Sequence, residues 1–173
     1  VNRSFDPDWD QLVNENAQRV FAVAMRILGC VHEAEDASQE AFAQAFQFPK
    51  HPPVNCWTGL LVRLTTMRSL DRLRRRNGKK HSAHPLRDGD KLVKNDPAGG
   101  MIAEELRGQL LTAILRLPEQ QASVFWMIAI EQLSRDEVAS ALNLSVEAVS
   151  TALYKARKSL SVELGSYCLG GKS

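Results

Sequence analysis

The sequence predicts an all-α fold: two small helical bundles joined by a flexible linker, the C-terminal one containing a helix-turn-helix. Three features predict it. Apolar residues recur at the three-to-four spacing of a helix face through both halves, no sustained apolar–polar alternation of a strand is present, and a polar stretch at 77–100 breaks the pattern.

The first helix is expected to start at Asp6 as N-cap with Pro7 in the first helical position, where its missing amide costs nothing. Trp9, Leu12, Val13, Ala17, Val20, Phe21, Ala24 and Leu28 then form the apolar stripe, and Gly29 ends the run. A second helix, about 32–46, has Ala34, Ala37, Ala41, Phe42, Ala45 and Phe46 on one face and Glu33, Asp36 and Glu40 on another. Pro49, Pro52 and Pro53 force a loop. A third helix, roughly 55–76, carries Trp57, Leu60, Leu61, Leu64, Met67 and Leu73.

Residues 77–100 are polar and rich in turn formers, the composition of a tether between domains 1–76 and 101–165, with 166–173 as a tail. Beyond it, Ile102, Leu106, Leu110, Ile114 and Leu117 make one helical stripe closed by Pro118. Val124, Phe125 and Ile128 lie in a segment apolar enough to be buried on most sides.

Composition excludes several functions. The 173 residues hold 22 Lys+Arg and 20 Asp+Glu, a net +2 that by itself marks no nucleic-acid binder. Local cation density decides that question, because only neighbouring cations neutralise phosphates. Cys30, Cys56 and Cys168 are odd in number and widely spaced, so they read as buried or incidental thiols, and His81 and His84 lack the neighbouring cysteines of a zinc site. No metal or cofactor is expected. Neither Gly-x-Ser-x-Gly nor a phosphate-cradling glycine loop is present, so no catalytic residue is assigned. No leader and no apolar run near the ~20 residues of a membrane helix is seen, so a cytoplasmic protein without membrane insertion is expected.

The sharpest motif is SRDEVASALNLSVEAVSTALYKARKSL, 134–160. Ser134 and Glu137 have capping-box spacing, Asn143 tolerates the left-handed turn, and Ser145 caps a second helix with Val149, Leu153 and Ala156 inward. Facing out are Glu147, Ser150, Thr151, Tyr154, Lys155, Arg157 and Lys158: beside the one acid, hydroxyls, an aromatic and cations suited to base edges and phosphates in a major groove. The blander alternative is an ordinary solvated face.

The first half adds two charged surfaces. Glu33, Asp36, Gln39 and Glu40 cluster on one exposed face, where the carboxylates at 36 and 40, a turn apart, repel until a basic partner relieves them, unless the face is simply solvated. Arg68, Arg72, Arg74, Arg75, Arg76, Lys79 and Lys80 crowd the end of the third helix, a strong site for a phosphate backbone, and Asp71 can pair with Arg68 or Arg75. Trp57 either packs in the core, the commoner role at such spacing, or stacks on an unpaired base. Lys50, His51 and Asn55 in the preceding loop are candidates to hold an extruded base.

In order and register these segments resemble the extracytoplasmic-function sigma factors of bacterial RNA polymerase. HEAEDASQEAFAQAF is similar to their clamp-gripping helix at Ala34, Glu35, Asp36, Gln39, Glu40, Ala41, Phe42, Ala45 and Phe46. LLVRLTTMRSLDRLRRR is similar to their minus-ten helix at Arg63, Arg68, Leu70, Asp71, Leu73 and Arg74, and the segment from Leu117 to Leu160 looks like their minus-thirty-five domain. The resemblance implies core polymerase binding through Asp36, Gln39 and Glu40. With the residue chemistry above, minus-ten contacts are expected of Lys50, His51, Asn55, Trp57, Arg63, Arg68, Arg72 and Arg75, and minus-thirty-five contacts of Ser150, Thr151, Tyr154, Lys155 and Lys158. Expected partners are core RNA polymerase, promoter DNA and an anti-sigma factor or other regulator. Leu60 stands where the family usually has tryptophan, Met67 where it often has asparagine and Ala152 where arginine is frequent, which leaves the promoter sequence open. The alternative is a conventional helix-turn-helix regulator that binds duplex DNA and leaves the polymerase alone.

Overall fold

Asp8, not Asp6, starts the first helix: its backbone is extended and its carboxylate accepts the Gln11 amide at 3.1 Å. Pro7 therefore precedes the cap and Trp9 is the first helical residue. The computed structural model describes residues 7–47, 54, 56–80 and 97–170, without the side chains of 79–80, 97–103 and 166–170. Among the described residues are seven α-helices, one π-helical turn and no strand: α1 (Trp9–Leu28), α2 (Val31–Phe46), α3 (Trp57–Lys80), α4 (Pro97–Arg116), α5 (Glu119–Phe125), the π turn (Trp126–Ile130), α6 (Arg135–Leu142) and α7 (Val146–Gly170). The fold is all-α as expected, with α3 and α4 each reaching into the stretch 77–100.

In the N-terminal half α1, α2 and α3 pack as a three-helix bundle. Gly29, at φ +67°, ends α1 in the left-handed conformation that a side chain would strain. The buried face of α1 includes Val23 and Ile27, whereas Val13 and Ala17 of the expected stripe are turned outward. The α2 face is built of small residues, Ala34, Ala37, Ser38, Ala41 and Ala45, which lets its backbone approach both neighbours closely. Leu12, Val20, Ala41, Ala45, Leu60, Leu61 and Leu64 form one apolar cluster within this bundle.

The second cluster crosses between the halves. Val23, Ile27, Val62 and Leu70 of the first half share it with Ile114, Val124, Met127, Val138, Val149 and Leu153 of the second. The bundles are thus packed together; α3 contacts α5, the π turn and α6. Leu106 breaks the expected α4 stripe, being 57% exposed, while Leu111, Ala113, Ile114 and Leu117 are buried. Among the described residues no helix is long and apolar enough to cross a membrane.

The helix-turn-helix forms from local chemistry. The Ser134 amide donates to Glu137 Oε2 at 2.7 Å and the Glu137 amide donates to Ser134 Oγ at 3.2 Å, a complete capping box. Asn143 makes the turn at φ 53°, ψ 49°, and Ser145 Oγ accepts the Ala148 amide at 3.1 Å. The hydrogen bond from the Ser134 backbone, helped by the Ser134 side chain and by the field of Arg19, holds the Glu137 carboxyl below its ordinary range. A carboxyl whose pKa is lower in the folded chain stabilises it above the ordinary range, and that contribution is lost as pH falls through the lowered value. Glu137→Gln is therefore expected to melt below the wild type at neutral pH, with the gap closing in acid. A gap independent of pH in thermal unfolding curves would contradict this. Ser134→Ala is expected to cost about 1 kcal/mol by denaturant unfolding.

Candidate nucleic-acid interface

Each outward residue on α7 stands where the inward ones force it. Val149, Ala152, Leu153 and Ala156 are buried, so Thr151, Tyr154, Lys155 and Lys158 face solvent and Ser150 is half-buried. Tyr154 is 67% exposed, far more than a tyrosine packed for stability. The surface offers hydroxyl donors and acceptors near the start of the helix and ammonium groups beyond them, the order in which a docked helix meets base edges and then phosphates.

On the other half, Asp36 and Glu40 lie on α2 with their carboxylates well exposed, and Gln39 is exposed beside them. They are not an isolated acidic patch. Arg72 of α3 reaches both, 2.7 Å from Glu40 Oε1 and 3.6 Å from Asp36 Oδ2. Arg76 pairs with Glu33 at 2.8 Å and also donates to the Leu28 carbonyl at 3.2 Å. Arg68 donates to Gln44 at 3.1 Å, and Arg75 is exposed. Asp71 pairs with Arg74 at 3.0 Å, three residues on, not with Arg68 or Arg75 as expected. The arginines form a graded set, some anchored to α2 and some open to solvent.

Trp57 stands at the start of α3, its ring edge-on to Trp9 with centroids 5.3 Å apart; Trp9 also meets Phe46 at 5.0 Å. It is half-buried against the N-terminal core, which leaves part of the ring open to solvent. Arg63 lies against the C-terminal half, where Nη1 donates to the Ala141 carbonyl of α6 at 3.0 Å. Next to it, Gly59 lets α6 come close: a Cβ there would lie 3.3 Å from Ala141 Cβ. Lys50, His51 and Asn55 lie outside the described residues.

Sequence reasoning passed over the residue that joins the halves. Glu131 follows the π turn, and its carboxylate is buried to 2% exposure. It accepts Arg26 Nε at 3.2 Å, Arg26 Nη2 at 2.5 Å and Trp126 Nε1 at 3.0 Å. Its backbone carbonyl accepts Arg19 at 3.3 Å, and Arg107 of α4 donates to the Arg26 carbonyl at 2.9 Å. Arg19 and Arg26 are in α1, over a hundred positions upstream in the chain. The i→i+5 register of a π turn brings Trp126 and Glu131 to one side, which an α-helical reading does not foresee. The only hint in sequence is a lone acid beside an apolar run.

Residues 12–79 match the family described as Sigma-70 region 2, and residues 107–160 the family described as Sigma-70, region 4. An ECF RNA polymerase sigma factor, SigE of Mycolicibacterium smegmatis, is 32% identical over 156 residues, covering 89% of this chain and 60% of its own length. The chain thus spans less than two thirds of that relative. ECF RNA polymerase sigma factor SigW of Bacillus subtilis is 27% identical over 165 residues, 88% of this chain and 87% of its own. Among solved structures, the sigma factor RpoE in complex with the anti-sigma factor NepR from Bartonella quintana superposes with a TM-score of 0.53 at 15% identity, covering 91% of this chain and 97% of that one.

Removing either partner of the clasp should have unequal effects. Arg26→Met leaves a buried carboxylate without its cation, whereas Glu131→Gln removes the charge and keeps an acceptor for Trp126. The first is expected to lose on the order of 2–3 kcal/mol and the second about 1 kcal/mol, read by urea unfolding. Equal losses would mean that burial of the charge is not what the arginine offsets.

Proposed function

Because the chain belongs to the extracytoplasmic-function group of the sigma-70 family of RNA polymerase sigma factors, we propose that it directs promoter-specific transcription initiation. In this reading it binds core RNA polymerase and the minus-ten and minus-thirty-five elements of promoter DNA, carries out no catalysis of its own and works in the cytoplasm. Residues 1–76 are the region 2 domain, 77–100 the linker, 101–165 the region 4 domain and 166–173 a tail.

One observation carries the proposal: chemically opposite surfaces on one chain, with carboxylates outward on α2 and hydroxyls, an aromatic ring and cations outward on α7. Asp36, Gln39 and Glu40 take basic groups of the polymerase through charge-assisted hydrogen bonds. Arg68, Arg72 and Arg75 follow the backbone of the opened strand, with Lys50, His51, Asn55 and Trp57 at its extruded base. Arg63 joins them once α6 withdraws from it. Ser150, Thr151 and Tyr154 read base edges of the duplex, while Lys155 and Lys158 hold phosphates. Two tethered modules raise overall affinity by effective concentration, so neither needs to bind tightly alone. An anti-sigma factor or other regulator is a further partner, supported by the solved relative held by one.

Run-off transcription with core polymerase on a promoter library tests the whole. The wild type is expected to initiate from a subset of promoters, and Asp36→Arg with Glu40→Arg to lose core binding while keeping its helical circular dichroism. A wild-type chain that binds duplex DNA and never binds core would favour the conventional regulator instead. Lys155→Ala with Lys158→Ala is expected to weaken duplex binding across sequences and to lower the slope of log affinity against log salt by about 2, measured by fluorescence anisotropy.

A further inference from the structure

Arg68, Arg72 and Arg75 lie at i, i+4 and i+7 along α3, one stripe of a helix. Their surroundings differ. Arg68 holds a neutral amide, Arg75 is exposed, and Arg72, in the middle, is bound to the two carboxylates assigned above to polymerase docking. Arg72 is the more covered partner, its side chain 25% exposed against 64% for Asp36 and 50% for Glu40. The arginine therefore sits between the helices, and the acids present their free edges outward.

This geometry gives Arg72 two competing uses. Docked on the acids, it cancels the repulsion between carboxylates one turn apart, but its own charge is then largely hidden from a nucleic acid. A basic surface arriving at the exposed edges of Asp36 and Glu40 competes for their negative charge and repels Arg72. The guanidinium, on its flexible stem, is then free to join Arg68 and Arg75 against a phosphate backbone. We propose that Arg72 is an exchangeable counter-ion: it is held by Asp36 and Glu40 in the free chain and handed to the DNA strand when polymerase takes the acids. The inference rests on the function proposed above and adds a positioning role, since it makes docking and strand binding mutually reinforcing. Linkage requires the coupling to act equally in both directions.

The pair is partly exposed, so the coupling is modest. Breaking such a pair is worth up to about 1 kcal/mol, roughly a fivefold change in affinity. The test uses the purified full chain without polymerase and a fluorescein-labelled mixed-sequence single strand, read by anisotropy over a salt series. Asp36→Asn with Glu40→Gln mimics acids already taken, and is expected to tighten strand binding about threefold to fivefold and to steepen the salt slope by about 1. In an Arg72→Gln background the same pair of changes should leave the slope unchanged and give only the small gain expected from lost negative charge. Arg72→Lys should restore the slope change. Equal tightening and equal slope change with and without the arginine would overturn the proposal, as would no tightening in the Arg72 chain.

Thermal unfolding of each variant shows whether it is folded. A gel-shift titration of the wild type with core polymerase separates the two readings. Failure to bind core sinks the docking role of the acids, and with it the physiological exchange, whatever the DNA cycle shows. Normal core binding with a flat DNA cycle sinks the exchange alone.

Discussion

A single buried carboxylate governs how the two halves of this chain meet. Glu131 has 2% of its side chain exposed, and an ionised group in that position is tolerated only with a cation and donors aimed at it. Trp126, five residues before it, supplies one donor through the π turn, and Arg26 supplies the charge and a two-pronged bond. The cation belongs to α1, so the C-terminal half cannot satisfy its own acid while buried. Directly after Glu131 the chain turns at Gln132, φ 57°, and enters α6 through the capping box. The clasp thus fixes the approach of the helix-turn-helix as well as the junction.

The charged faces of the N-terminal half follow a related logic at lower cost. The alanine face of α2 brings it close to α3, and that closeness puts α3 arginines within reach of α2 acids. Arg76 is doubly anchored, to Glu33 and to the carbonyl that ends α1. Among the described residues Arg72 is held by exposed carboxylates alone, and water can replace either contact cheaply. Proximity of helices, dictated by side-chain size, decides which cations are structural and which can be released.

The helical fold and both candidate faces were legible because they depend on local rules. Three-to-four periodicity, the Ser134–Glu137 box and the Asn143 turn each operate within a few residues, and the outward set on α7 follows from its buried set. What the sequence concealed is long-range or irregular. The Arg26–Glu131 pair joins residues 105 apart, a separation that no periodicity encodes. The π turn shifts side-chain register without any glycine or proline to announce it. The Asp6 expectation failed because two acids flank Pro7 and either can cap; Asp8, after the proline, does so. Asp71 chose Arg74 over the expected arginines because i,i+3 and i,i+4 partners compete on one helix and small rotamer differences decide.

The contacts at Glu131 and at α6 hold the two halves together in different ways. At the Glu131 end every oxygen of the carboxylate is paired and the apolar cluster is continuous, so parting there transfers both charge and core to water. At the α6 end Arg63 donates one nitrogen to the Ala141 carbonyl, while its buried Nε has no hydrogen-bond partner among the described residues. A buried donor left unpaired costs about 1–3 kcal/mol, so uncovering Arg63 recovers part of what separation loses. The contact there also depends on Gly59 having no side chain. Separation where α6 lies on α3 therefore frees a buried donor that has no partner among the described residues, whereas separation at the clasp strips a buried carboxylate of the cation that it pairs with.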